Sequence, residues 1–123
     1  MRNRALFAVA ALVIATPALA DDWDFMLINS TGKEIKTIEV SPTGANAWQP
    51  NKVDPELKKE NDGVIKATGR TTIHFDKKSS DCRYDVKATF TDASNAVWTN
   101  INVCDNAYVT IKYANGAPTF SAN

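Results

Sequence analysis

The sequence has 123 residues, 44% of them hydrophobic and 23% charged, with 14 Lys and Arg balancing 14 Asp and Glu. That length makes one domain, the apolar fraction separates it from disordered chains, and zero net charge removes the basic field on which non-specific nucleic-acid binding runs. None of these totals names a function.

Residues 1–20 begin with Arg2 and Arg4, continue through an apolar run from Ala5 to Ala15, and finish with Ala18-Leu19-Ala20 ahead of Asp21-Asp22. A charged start, an apolar middle and small residues at the end read as a secretory signal peptide. The apolar run of 11 residues falls well short of the roughly 20 needed to span a bilayer. No cysteine follows Ala20, so a lipoprotein attachment point is lacking, and Asn3 interrupts what would be a twin-arginine signal. The expected organisation is a leader over 1–20 and one domain over 21–123, in the periplasm or secreted. Taking away Arg2 and Arg4 leaves 12 basic against 14 acidic residues, formally −2, which is ordinary for an exported domain.

Beyond the leader the chain reads as strands. Asp22 to Asn29 alternates, with Trp23, Phe25 and Leu27 on one face, and Asn29-Ser30-Thr31-Gly32 supplies turn chemistry. Glu34 to Val40 follows, and the two runs read as a hairpin. Asn29-Ser30-Thr31 has the form of a glycosylation sequon, but behind a bacterial-looking leader it reads as a turn. Thr43 to Gly69 is long and polar; within it Asp54-Pro55-Glu56 followed by Lys58-Lys59 predicts one or two helical turns, by an N-cap aspartate and a proline at the first helical position. Thr71 to Asp76 turns Ile73 and Phe75 inward and His74 outward. Cys82 to Phe90 alternates most cleanly, and Ala96 to Val103 and Ala107 to Tyr113 complete about six strands. Such alternation with short connections predicts an antiparallel sheet solvated on one side.

Register between the last long strands has two readings. Pairing Phe90 with Val97 sets Val86 against Ile101 and Tyr84 against Val103, collects the apolar side chains on one face, and points Cys104 away from Cys82. Pairing Cys82 directly with Cys104 instead sets Val86 against Asn100 and Tyr84 against Asn102. We expect the first, with the strand breaking or bulging at Val103-Cys104. Cys82 and Cys104 are the only cysteines, and in an exported chain they read as one disulfide. With His74 they barely reach a zinc ligand set, and no Cys-x-x-Cys is present.

Catalytic signatures are sparse. The lone His74 has no nucleophile at a recognisable elbow, no glycine-rich loop joins a strand to a helix, and Asp76, Asp81, Asp85 and Asp92 read as solvated strand-end carboxylates rather than an acid–base pair. A non-enzymatic protein with no cofactor, no nucleic-acid partner and no membrane span is expected. Candidate binding residues are aromatic and amide. Trp98, Asn100 and Asn102 alternate along one strand face, where a ring flanked by amides would hold a sugar or peptide; Trp98 packed beneath a loop or second sheet explains the same residues. Trp48 either anchors the long loop or contacts a partner.

The residues Phe25-Met26-Leu27-Ile28-Asn29-Ser30-Thr31-Gly32, Ile35, Val40-Ser41-Pro42, Trp48, a glycine ahead of Thr71 to Phe75, Cys82-Arg83-Tyr84-Asp85-Val86 and Val103-Cys104 resemble a family of small exported proteobacterial proteins. Some members carry an argininosuccinate lyase label, although a 103-residue exported chain cannot supply that large tetrameric enzyme's site. The sequence departs from the family pattern where Gln49 follows Trp48, where Tyr84 stands for a tryptophan, and in a longer segment between Trp48 and Gly69. The resemblance implies fold and compartment rather than activity. The expected protein is all-β, a small antiparallel sandwich or strongly twisted meander with one short surface helix, serving as a binding protein for an envelope protein or glycan. The alternative is an inhibitor or immunity protein that plugs a periplasmic hydrolase with the loop from Trp48 to Gly63.

Overall fold

The computed structural model describes residues 20–51 and 63–123. Apart from Ala20, the expected leader lies outside the described residues, as does the helix expected over 54–61. Among the described residues eight strands form: β1 (Ala20–Ser30), β2 (Ile35–Pro42), β3 (Gln49–Pro50), β4 (Arg70–Lys78), β5 (Arg83–Phe90), β6 (Asn95–Asn102), β7 (Tyr108–Ala114) and β8 (Ala117–Ala122). They make two four-stranded sheets, sheet I in the order β4-β1-β7-β8 and sheet II in the order β3-β2-β5-β6. The all-β sandwich expected from the alternation is therefore present. Two strands go beyond the expected six: β3 is only two residues long, and β8 carries Pro118 with no buried position to give it a period.

The expected hairpin between the first two strands does not form, because β1 and β2 lie in opposite sheets. The buried Asn29 explains the crossing. Its Nδ2 donates to the carbonyls of Lys33 and Lys66, both at 2.8 Å, while its Oδ1 accepts from the Thr31 amide at 3.1 Å and the Thr31 hydroxyl at 2.6 Å. With Gly32 in the left-handed region at φ 83°, these bonds bend the chain into an arch that carries it over the core instead of back alongside β1. Asn29 has no exposed amide left, so the sequon is a turn. A second departure is that β1 pairs β7 in parallel, Leu27 beside Val109, since the chain reaches β7 by crossing from sheet II. All other strand pairs are antiparallel.

Register in the β5–β6 hairpin also differs from expectation. Tyr84 faces Ile101, but Val86 faces Trp98 and Ala88 faces Ala96, with an irregularity between Tyr84 and Val86. One extra residue sits in β6. Asn100 adopts φ 63° and donates its backbone N–H to the Asp85 carboxylate at 3.0 Å, so Thr99 and Asn100 both face solvent, and the inward positions pass from Ala96 and Trp98 to Ile101 and Val103. A regular strand would have forced either Trp98 or Ile101 outward; the bulge buries both. Just past the end of β6, Val103 donates to the Cys82 carbonyl and Cys82–Cys104 closes as a disulfide, with its Cα atoms 5.2 Å apart. Both cysteines are thereby spent, which removes them from any zinc set.

The two inner faces meet in one apolar core that includes Phe25, Leu27, Val40, Ile73, Phe75, Tyr84, Val86, Phe90, Trp98 and Ile111. Edge-to-face ring contacts link Phe25 to Phe75 at 5.8 Å and Phe75 to Tyr84 at 4.9 Å. Burial pushes the Tyr84 phenol above its ordinary pKa, and the nearby Asp81 carboxylate adds to the rise. A raised folded-state pKa means that this contribution is intact below the unfolded value near 10 and is lost as pH climbs toward the folded one. Urea unfolding at pH 9 and pH 11 should show a smaller alkaline loss in Tyr84→Phe than in the parent; equal losses would assign the effect to other groups.

Candidate functional site

Because Tyr84, Val86, Ala88 and Phe90 point inward, the outer face of β5 carries Asp85, Lys87 and Thr89. Pairing with β2 puts Ser41 beside Asp85 and Glu39 beside Lys87. The connection after β2 folds back over this face. Thr43 Oγ1 and the Gly44 amide donate to the two Asp85 carboxylate oxygens at 2.9 and 3.2 Å, and the Ala47 amide donates to Ser41 Oγ at 2.9 Å. The short β3 then pairs with Val40 and Glu39. Held in this way, Trp48 lies half-buried with the Lys87 ammonium 4.7 Å from its ring centroid, and that ammonium is 3.8 Å from Glu39 Oε1. The result is a surface ledge of one aromatic ring, one cation and one carboxylate.

Beside the ledge runs a groove of about 250 Å³ lined by Lys36, Thr37, Ile38, Glu39, Pro50 and Asn51. It is smaller than the ~300–1,000 Å³ of enclosed small-molecule sites, and suits a single sugar ring or side chain with donor and acceptor groups on its rim. A second depression of about 270 Å³ lies at the disulfide end, between Pro42-Thr43 and Ser80-Asp81-Cys82-Arg83.

The four candidate binding residues divide among three roles. Trp48 and Asn100 come to the same outer face of sheet II, Trp48 through Lys87 and Asn100 through Asp85. Trp98 is in the core, 1% exposed, and its Nε1 donates to the Lys112 and Thr119 carbonyls at 3.0 and 2.9 Å. The expected plate of Trp98, Asn100 and Asn102 is thus not formed, because the bulge puts ring and amide on opposite faces. Asn102 caps a turn: its Oδ1 accepts from the Cys104 and Asp105 amides at 2.9 and 3.0 Å, and its Nδ2 donates to Asp105 Oδ2. Asp85 is 8% exposed, and its carboxylate joins two turns rather than acting at a surface. Lys87 and Glu39 were missed in the sequence. Their signal was opposite charge at outward positions of neighbouring strands, visible only once β2 is placed against β5 instead of β1.

Among the described residues no group of three or more His, Cys, Asp or Glu side chains is arranged to hold a metal ion, and no helix is long and apolar enough to cross a membrane.

No family model matches the sequence, and no curated protein matches it. Among solved structures, the NMR structure of a protein from Eubacterium rectale is similar, with a TM-score of 0.54 and 16% sequence identity over 82% of this chain and 87% of that one. At that identity the likeness concerns the fold alone.

Proposed function

We propose that this chain is an exported, non-enzymatic binding protein of the bacterial cell envelope, akin to the small proteobacterial proteins it resembles, and that it holds a glycan on the Trp48 ledge. The observation carrying this reading is the Trp48 ring, fixed by Lys87 on one side yet only half-buried, beside a groove with charged and amide groups on its rim. An aromatic ring offers a sugar face its apolar contact, and carboxylate, ammonium and amide groups complement hydroxyls. The leader and the disulfide support the compartment, since disulfides persist where the surroundings are oxidising.

The test is co-sedimentation of the purified domain with insoluble envelope glycan, comparing the parent with Trp48→Ala. If the ring is an anchor, its loss should weaken binding by about 30-fold or more, about 2 kcal/mol, while folding stability falls by no more than about 1 kcal/mol, the scale of an exposed cation–π contact. Undiminished retention of the variant would overturn the site. Capture of one envelope hydrolase in a one-to-one complex, with no glycan retention, would replace this reading with the inhibitor one.

A further inference from the structure

Among the described residues the sandwich has four strand edges, and three of them are blunted. On β4 the outward groups are taken by side chains: the Asn51 Oδ1 accepts the His74 amide at 2.8 Å, and the Gln49 carboxamide accepts the Asp76 amide at 2.8 Å and donates to the Asp76 carbonyl at 2.9 Å. The β3 edge is two residues long. The β6 edge is broken by the bulge at Asn100. Among the described residues β8 is blunted in none of these three ways; Pro118 withholds one outward N–H, but the outward groups of Phe120 and Ala122 remain for pairing.

The chemistry of the β8 edge is specific. Tyr108 and Asn123 exchange both backbone bonds, and β8 continues against β7 in unbroken register through Ile111 opposite Phe120. Alternation of bonded pairs therefore turns the groups of Thr119 and Ser121 toward β7, and those of Pro118, Phe120 and Ala122 away from it. Among the described residues no hydrogen bond reaches the outward N–H and C=O groups of Phe120 and Ala122. The segment from Ala114 to Asn123 contains no charged residue, so nothing repels a second copy of the same strand. Phe120, 37% exposed, adds an apolar side chain at the middle of the edge.

We propose that β8 is a self-association edge, at which two copies of this chain pair antiparallel about a two-fold axis to join their sheets I into one continuous sheet. With Phe120 opposite Phe120 of the second copy, these two residues exchange both their backbone bonds, each Ala122 N–H meets a Pro118 carbonyl, and the two rings meet at the seam. The arrangement is self-complementary, as a two-fold interface requires. It is also small. Six residues make an edge of about 20 Å, and such an interface buries less than the ~1,200 Å² of stable complexes. The dimer accordingly forms in the range of about 0.1 mM rather than at nanomolar concentration.

Sedimentation velocity of the purified domain between about 10 μM and 1 mM tests this, together with amide hydrogen exchange at both ends of that range. The expected result is a reversible monomer–dimer equilibrium in which the Phe120 and Ala122 amides gain protection on concentration, whereas Thr119 and Ser121 are protected throughout. Phe120→Lys, which places like charges opposite one another, should weaken association at least about tenfold without changing the far-ultraviolet spectrum. A monomer at every concentration would overturn the proposal. So would a dimer whose Phe120 and Ala122 amides stay unprotected, or one abolished by Tyr108→Ala but not by Phe120→Lys, which would move the contact to the outer face of sheet I, where Tyr108 is 49% exposed. The exchange measurement uses the unmodified chain, so the test survives a variant that fails to fold.

Discussion

Trp98→Ala is expected to destabilise the domain by about 4 kcal/mol, the range for emptying a buried aromatic site. The indole is among the largest fully buried side chains, stands in edge-to-face contact with Tyr113 at 6.3 Å, and pins the β7–β8 pair from sheet II through its N–H. A chain of this size changes its melting temperature by roughly 4–8 °C per kcal/mol, so thermal unfolding should move down by on the order of 20 °C. Trp98→Phe separates the two contributions. It keeps much of the ring volume and loses the N–H, and because both carbonyls belong to the β7–β8 ladder, the cost should stay near 1–2 kcal/mol. If Trp98 were instead a ligand-stacking ring, alanine would leave thermal unfolding unchanged and remove binding. The midpoint from calorimetry or near-ultraviolet circular dichroism decides between the two.

Loss of the disulfide is the second large effect. Cys82 and Cys104 are separated by 22 residues, and in the loop-entropy description their bond lowers the freedom of the unfolded chain by about 3 kcal/mol. The closed loop contains all of β5 and β6, so the cross-link confines the hairpin whose bulge positions Trp98. A Cys82→Ala, Cys104→Ala double variant should unfold in urea with a midpoint lower by about 2 M, taking a slope of roughly 1–1.5 kcal/mol per molar for a small domain. The slope itself should increase, since an unlinked chain exposes more surface on unfolding. An unchanged midpoint would show that the bulge and Asp85 alone hold the hairpin. Reduction of the parent protein should reproduce the variant, because both cysteines are only partly covered.

Legibility in the sequence followed the range of each interaction. Strand positions in β1, β2, β4, β5, β6 and β7 were readable to within a residue or two, because period-two alternation of Phe25 and Leu27, Ile73 and Phe75, or Tyr84, Val86, Ala88 and Phe90 is a local consequence of the pleat. β8 was unreadable for the complementary reason: Pro118 interrupts it, and with one face at the sandwich edge none of its residues is fully buried. The candidate site was half legible. Trp48 was identifiable as an unusual residue in a polar loop, but Lys87 and Glu39, which hold and border it, emerge only from strand pairing.

What the sequence determined by itself is what short-range chemistry can encode: an all-β domain, the turn at Asn29-Ser30-Thr31-Gly32, and two cysteines that bond each other. The balanced charge of the full chain includes Arg2 and Arg4 of the expected leader, without which the remainder is formally slightly acidic. Tertiary structure alone decided the direction of the Asn29 arch, the parallel pairing of β1 with β7, and the face on which Trp98 falls. The first and last of these depend on partners distant in the chain, the Lys66 carbonyl for Asn29 and the Asp85 carboxylate for the Asn100 bulge. One extra residue in a strand reverses every side chain beyond it. The bulge whose Asn100 N–H donates to Asp85 therefore settled what alternation could not: the ring lies in the core, and the amide beside it faces solvent.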